Sequence, residues 1–297
     1  MASLAVITIV SLLLAIWGRD LIRRVRKIGS AGVEFHVWEE IARIPELSDA
    51  PIPPAFVLIG YTLPDCDDRP QKSLSPQQEW HYELASNLWF HLHHLGVDAT
   101  ELSGLELRRY RDMVLWLGKT ALTQRPHVNK ALEVLRSIEN LADLRRDESY
   151  YLAMAYLFVA AHEKPRDKDG SREKFQRSAD LLQRIVKEDD SDASSHWALG
   201  YAYDELEDYD RAIMHDQQAV KLNEKEYGTF GRWNEAVSLI KQEKTAEALA
   251  VLRQIPESGC WKEICKDDEL ASLRDNPKFK DRFRDLCTKK SGGEVKF

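Results

Sequence analysis

Small residues spaced for close helix packing constrain this chain more than any other feature. In Leu199-Gly200-x-x-Tyr203, followed by Ala212 and Ala219, Gly200 and Ala212 stand about one helix and a turn apart. Ala219 then returns two helical turns later on the same face as Ala212. Side chains this small let two antiparallel helices approach closely, while Leu199 and Tyr203 fill the space to the next pair. The pattern recurs at a spacing near 34 residues. Leu152-Ala153-x-x-Tyr156 leads to Phe175, Leu182 and Ile185, with about 13 extra residues within His162 to Glu173. Leu117-Gly118-x-x-Ala121 leads, with one residue inserted, to Ala131, Leu135 and Ile138. Ala236, Leu239, Ala248, Leu252 and Ile255 form a fourth, degenerate unit, offset by two residues.

This grammar resembles the tetratricopeptide repeat (TPR) family over about residues 110–262, in units 110–145, 146–192, 193–226 and 229–262. Tyr209 and Leu222 support the strongest copy, but its large-residue site between the two alanines holds Asp216, a departure. The resemblance implies a mainly α chain built as an α-solenoid of helical hairpins. Leu270-x-x-Leu273 through Phe279 and Phe283 looks like a closing helix over 263–288, with a disordered tail at 289–297.

In that family a ligand usually lies on the concave surface made by the first helix of each pair. Carried over residue by residue, the surface here holds Tyr150, Met154, Leu157 and Phe158, then Trp197, Tyr201, Asp204 and Glu205, then Phe230, Trp233 and Val237. Aromatic anchors bordered by acids suit a helical or extended peptide with apolar side chains and a basic flank. The alternative for any one of these rings is packing against a neighbouring helix. Family members that clamp a terminal carboxylate use Lys and Asn on this surface; Tyr150, Met154, Trp197 and Tyr201 stand there instead, against that subclass.

Upstream of the repeats, an apolar run from Met1 to Gly18 is interrupted only by Ser3, Thr8, Ser11 and Gly18. Arg19, Arg23, Arg24, Arg26 and Lys27 follow at once. Residues 2–18 therefore read as a single transmembrane anchor, slightly short of a ~30 Å hydrocarbon core. The basic flank at Arg19–Lys27 would touch the membrane surface and keep the C-terminal part cytosolic. A cleaved signal peptide would carry its charges before the run and small residues at its end, where Ile16 and Trp17 stand.

Gly29-Ser-Ala-Gly32 then reads as a turn, and Val33, Phe35 and Val37 alternate as a short strand. "KIGSAGVEFHV" is similar to the juxtamembrane segment of many bacterial single-pass proteins. That points to a bacterial inner membrane, with a mitochondrial outer membrane as the alternative. A Pro-rich linker (45–54) and a second strand, Phe56–Ile59, complete a juxtamembrane region over 19–74. Ser75-Pro76 opens a helical region over 75–109.

Composition excludes several classes. A net charge of -7 argues against a nucleic-acid binder, the more so once the basic collar is set aside. Four Cys in 297 residues argue against a disulfide scaffold and for structural thiols in a reducing compartment. His91-Leu-His93-His94 does not present three ligands on one face, and Cys260-x4-Cys265 lacks the spacing of a zinc knuckle. Asp167-Lys-Asp169-Gly170 is short of calcium ligands. Glu79 with Glu83, and Asp189 with Asp190, read as solvated faces, and no phosphate-binding or nucleophile motif occurs. No metal, cofactor or catalytic residue is expected. The chain reads as a membrane-anchored scaffold, not an enzyme, that binds a protein or peptide partner, with homo-oligomerisation open. The alternative is a sensor or effector whose activity resides in 40–110.

Overall fold

A computed structural model describes residues 82–292, apart from positions 83, 84, 88, 91, 95, 123–127 and 165. After helical positions within 82–94 and a 3-10 turn at Ala99–Glu101, four antiparallel hairpins follow in chain order. They are α1 (Gly104–Leu122) with α2 (Val128–Arg136), and α3 (Arg146–Glu163) with α4 (Lys168–Glu188). Next come α5 (Ala193–Glu205) with α6 (Tyr209–Leu222), the single turn α7 (Glu224–Tyr227), and α8 (Phe230–Lys241) with α9 (Thr245–Leu252). Three short helices end the chain: α10 (Trp261–Ile264), α11 (Ala271–Asp275) and α12 (Lys280–Ser291).

Each hairpin packs on the next, and the first helices α1, α3, α5 and α8 contact one another more closely than the second helices do. The first-helix layer is therefore the inner side of the array. The small residues act as their spacing requires. A Cβ added to Gly118 would lie 2.4 Å from Leu135 Cγ, and one added to Gly200 would lie 2.4 Å from Asp216 Oδ1. Ala153, Ala212, Ala219 and Ala236 have no exposed surface. Residues 148–150 and 152–160 of α3 are buried all round, as befits a helix surrounded by four others.

Local chemistry sets the boundaries. Asp167, Asp192 and Asp208 cap α4, α5 and α6 through their carboxylates. At α3 the Glu148 carboxylate accepts the Arg145 backbone N–H at 2.8 Å. Glu207 and Glu243 take left-handed φ of 66° and 63° where α5 and α8 turn into their partners. Asp208 N–H reaches back to Tyr203 O, and Lys244 N–H to Leu239 O, each at 2.8 Å, so both turns close the helix end where glycine is the usual residue. Most of the extra residues within His162–Glu173 lengthen α3 and α4 rather than forming a long loop.

Several expectations are corrected. Among the described residues there is no strand, and no helix is long and apolar enough to cross a membrane. The candidates fail for physical reasons: α3 carries Arg146, Asp147, Glu148 and Glu163 within its 18 residues, and charges run throughout α4. Over the described residues the fold is mainly α, without the β element and without a spanning helix, against the expected single-pass localisation. The segments on which those readings rested (2–18, 19–27, 33–38 and 56–59) lie outside the described residues. The reduced-thiol reading also changes, because Cys265 and Cys287 form a disulfide with Cα atoms 5.9 Å apart, tying α12 to the end of α10. The expected single closing helix is broken into short pieces, and helix continues through 289–291.

Candidate functional site

The face built by the first helices carries the residues singled out in the sequence. The structure brings them together, and it also covers most of them. Met154, Leu157, Phe158, Trp197 and Trp233 are at most 2% exposed, while Tyr150, Asp204, Phe230 and Val237 are buried at 5–9%. Only Tyr201 and Glu205 keep partial exposure. Trp197 lies 6.0 Å from the Tyr227 ring, and Tyr201 lies edge-on to Phe175 at 6.2 Å.

The polar groups at the C-terminal end of this face are used internally. Asp204 accepts from Ser238 Oγ at 2.7 Å and from Lys241 Nζ at 2.6 Å, and Lys241 also reaches Glu269 at 3.1 Å. Burial works against the Lys241 ammonium, but Asp204 and Glu269 outweigh it and hold its pKa above the usual range. Trp233 Nε1 donates to Asp267 at 2.7 Å, and Glu205 pairs with Lys164 at 2.6 Å. Asp267 and Glu269 come from the segment after the repeats. No repeat position announces them, and their signal was only a run of acids before Leu270.

Toward the middle of the array the balance reverses. Trp197 Nε1 is buried and meets no hydrogen-bond partner, and Trp116 Nε1 on α1 is in the same state. Tyr150 OH is buried beside the Ser194 side chain, and burial, with the Tyr227 phenol second, pushes it well above its ordinary pKa, so it remains a donor at neutral pH. Buried polar groups are nearly always satisfied, so the orphan indole donors mark places where an acceptor is missing.

The opposite face differs. A cleft of about 820 Å³ opens between α2 and α4, lined in part by Arg136, Arg177, Arg184, Glu139, Asp180 and Glu188. Arg136 and Arg177 both pair with Glu139, at 3.5 and 3.2 Å. The cleft is charge-balanced and has less to recognise one ligand with.

The other sequence candidates have local roles. His93 stacks on Trp89 at 5.1 Å and His94 packs on Phe90, while His91 lies outside the described residues. Asp167 accepts from Gly170 N as a helix cap. Asp189 pairs with Arg146 at 2.9 Å. Much of 40–110 lies outside the described residues. Its described part closes the first hairpin, with Trp89 Nε1 on Ser137 Oγ at 3.2 Å and Lys130 Nζ 4.1 Å from the Trp89 ring centre. Among the described residues no three or more His, Cys, Asp or Glu converge on a possible metal position.

No protein-family description matches the chain, and no curated protein matches it. Among solved structures, the crystal structure of MamA protein aligns over 60% of this chain and 91% of that chain, with 18% identity and a TM-score of 0.40.

Proposed function

We propose that this chain is a helical-repeat scaffold that binds a protein or peptide partner along its first-helix face. Its activity is binding alone, without a reaction. The observation that carries this reading is the orphan donor Trp197 Nε1, set in an otherwise apolar strip. A peptide backbone presents carbonyl acceptors at regular spacing. The strip would be entered at its half-open edge, beside Tyr201 and Glu205. The resemblance to tetratricopeptide repeats supports the same face.

The test is affinity capture on the immobilised full chain, with mass spectrometry of the bound proteins, repeated with Trp197→Phe combined with Tyr201→Ala. Loss of a reproducible set of partners, with the circular dichroism spectrum retained, supports the reading. An unchanged set of partners would refute it.

A further inference from the structure

We propose that His196 and His215 form an acid-operated latch on the α5–α6 hairpin, held closed by one shared proton. The rings come from the first turn of α5 and the middle of α6, and both are buried. Their Nδ1 atoms stand 2.9 Å apart. A contact that short requires one hydrogen between the nitrogens: with none, two lone pairs face each other, and with two, the hydrogens collide.

The far side of His196 decides which ring donates. Its Nε2 lies 3.1 Å from the Asp190 carbonyl oxygen and 3.2 Å from the Asp190 carboxylate. The carbonyl and the ionised carboxylate can only accept, so His196 Nε2 carries a hydrogen. Neutral His196 therefore accepts at Nδ1, and His215 donates from its own Nδ1. The His215 ring lies nearly parallel to Tyr203, with centres 5.6 Å apart and planes 12° from each other. Arg211 covers the Tyr203 ring at 4.2 Å, and Arg211 and Gln183 both donate to its hydroxyl. The charged and titratable groups facing the pair are thus Asp190 from the α4–α5 turn, Tyr203 on α5 and Arg211 on α6. Asp190, the one carboxylate among them, is mostly in solvent.

Proton counting gives the latch its threshold. One added proton can be held by the pair, because a ring left neutral can carry its hydrogen on Nε2 and accept at Nδ1, so a single hydrogen still lies between the rings. A second added proton places hydrogens on both Nδ1 atoms, and the rings must part. Burial first, then His196 and Arg211, push His215 down to about 4 in the closed hairpin. An opened hairpin releases the ring to titrate near ~6.5. The folded pKa is depressed, so this stability is intact above ~6.5 and is lost as pH falls toward 4. Trp197 follows His196 on α5, so opening would also loosen the apolar strip. That consequence rests on the binding role proposed above; the latch itself does not.

Hydrogen exchange of α5 and α6 amides in the full chain, expressed as protection factors at pH 7.5 and 5.5, reads the opening. His215→Asn keeps a side-chain N–H available to His196 but cannot take the second proton. Between those pH values the opening constant should rise about tenfold more in the wild type than in His215→Asn. Ring-nitrogen NMR of the wild type at pH 7.5, which does not depend on the variant folding, should find His196 as the Nε2–H tautomer and His215 as the Nδ1–H tautomer. The opposite tautomer on either ring, or an equal acid response in wild type and variant, overturns the latch. Loss of partner capture in Trp197→Phe bears on the strip alone and leaves the latch standing.

Discussion

Asp216 should cost this fold stability at neutral pH, and removing its charge should recover it. The residue sits on α6 where the repeat pattern calls for a large side chain, has no exposed surface, and meets no cation at its carboxylate, only the Asn234 side chain. It presses on α5 at Gly200, the one residue type there that leaves room for it. Burial, then Asp204 and Glu235, raise its pKa well above the ordinary value. The folded state therefore holds a proton that the unfolded chain gives up above ~3.9, and stability falls by ~1.4 kcal/mol for each pH unit over which that holds. Asp216→Asn keeps the shape and removes the titration. It should match the wild type near pH 4 and exceed it increasingly as pH rises toward the raised pKa. Urea unfolding followed by far-UV circular dichroism at several pH values between 4 and 6.5 measures this. A variant less stable than the wild type at pH 6.5, or a difference constant with pH, would refute the reasoning.

The other expectations follow from single contacts. Glu148 is fully buried and accepts from Arg111 Nε at 2.9 Å, Arg111 Nη2 at 2.6 Å and Arg145 Nε at 2.8 Å. Burial opposes its ionisation, but the two guanidiniums prevail and lower its pKa, so its contribution is lost as pH falls below ~4.5. Glu148→Gln removes the buried charge that both guanidiniums share, leaving Arg111 to Asp143 and Arg145 to Asp112, and should destabilise by ~2 kcal/mol, read as a fall in urea midpoint. Tyr150→Phe removes a buried hydroxyl beside Ser194 and should change stability by no more than ~1 kcal/mol, while lowering partner capture; a larger loss would show that the hydroxyl is firmly hydrogen-bonded. Reducing the Cys265–Cys287 bridge, which closes a loop of sequence separation 22, should cost ~3 kcal/mol and expose α12 to limited proteolysis before the hairpins; simultaneous cleavage of both would contradict that order.

The hairpins were legible because their packing is written in residue size. Gly118, Ala153, Gly200 and Ala212 mark close approaches, and closeness between helices admits few residue types. The candidate face was legible only in outline. Repeat position says which way Trp197 or Trp233 points, but not what covers it. Trp233 Nε1 ends on Asp267, 34 residues later in a segment outside any repeat copy, and Lys241 is held between Asp204 and Glu269. The histidine contact was invisible for a similar reason. His196 and His215 are 19 residues apart with no shared motif, and only the pairing of α5 with α6 brings their Nδ1 atoms together. The disulfide was not legible because neither cysteine count nor local spacing shows which thiols meet: four cysteines are few for a scaffold, but Cys265 and Cys287, 22 residues apart, suffice to pin one helix.

His215 and Asp216 are neighbours on α6, and their titrations oppose each other. His215, depressed to about 4, makes the fold more stable as pH rises from 4 to ~6.5, by up to ~1.4 kcal/mol per pH unit. Asp216, raised, makes it less stable as pH rises from ~4. The two slopes offset each other, so a pH titration of the wild type alone would understate both. The single variants should separate them. In Asp216→Asn the histidine's acid sensitivity should emerge as stability rising with pH. In His215→Asn the carboxyl's should emerge as stability falling. The double variant should return toward the wild-type profile shape, because each change removes one of two opposed slopes. Urea unfolding of the four chains between pH 4.5 and 6.5 decides it: single variants whose slopes share a sign would mean that at least one of these buried groups keeps its ordinary pKa.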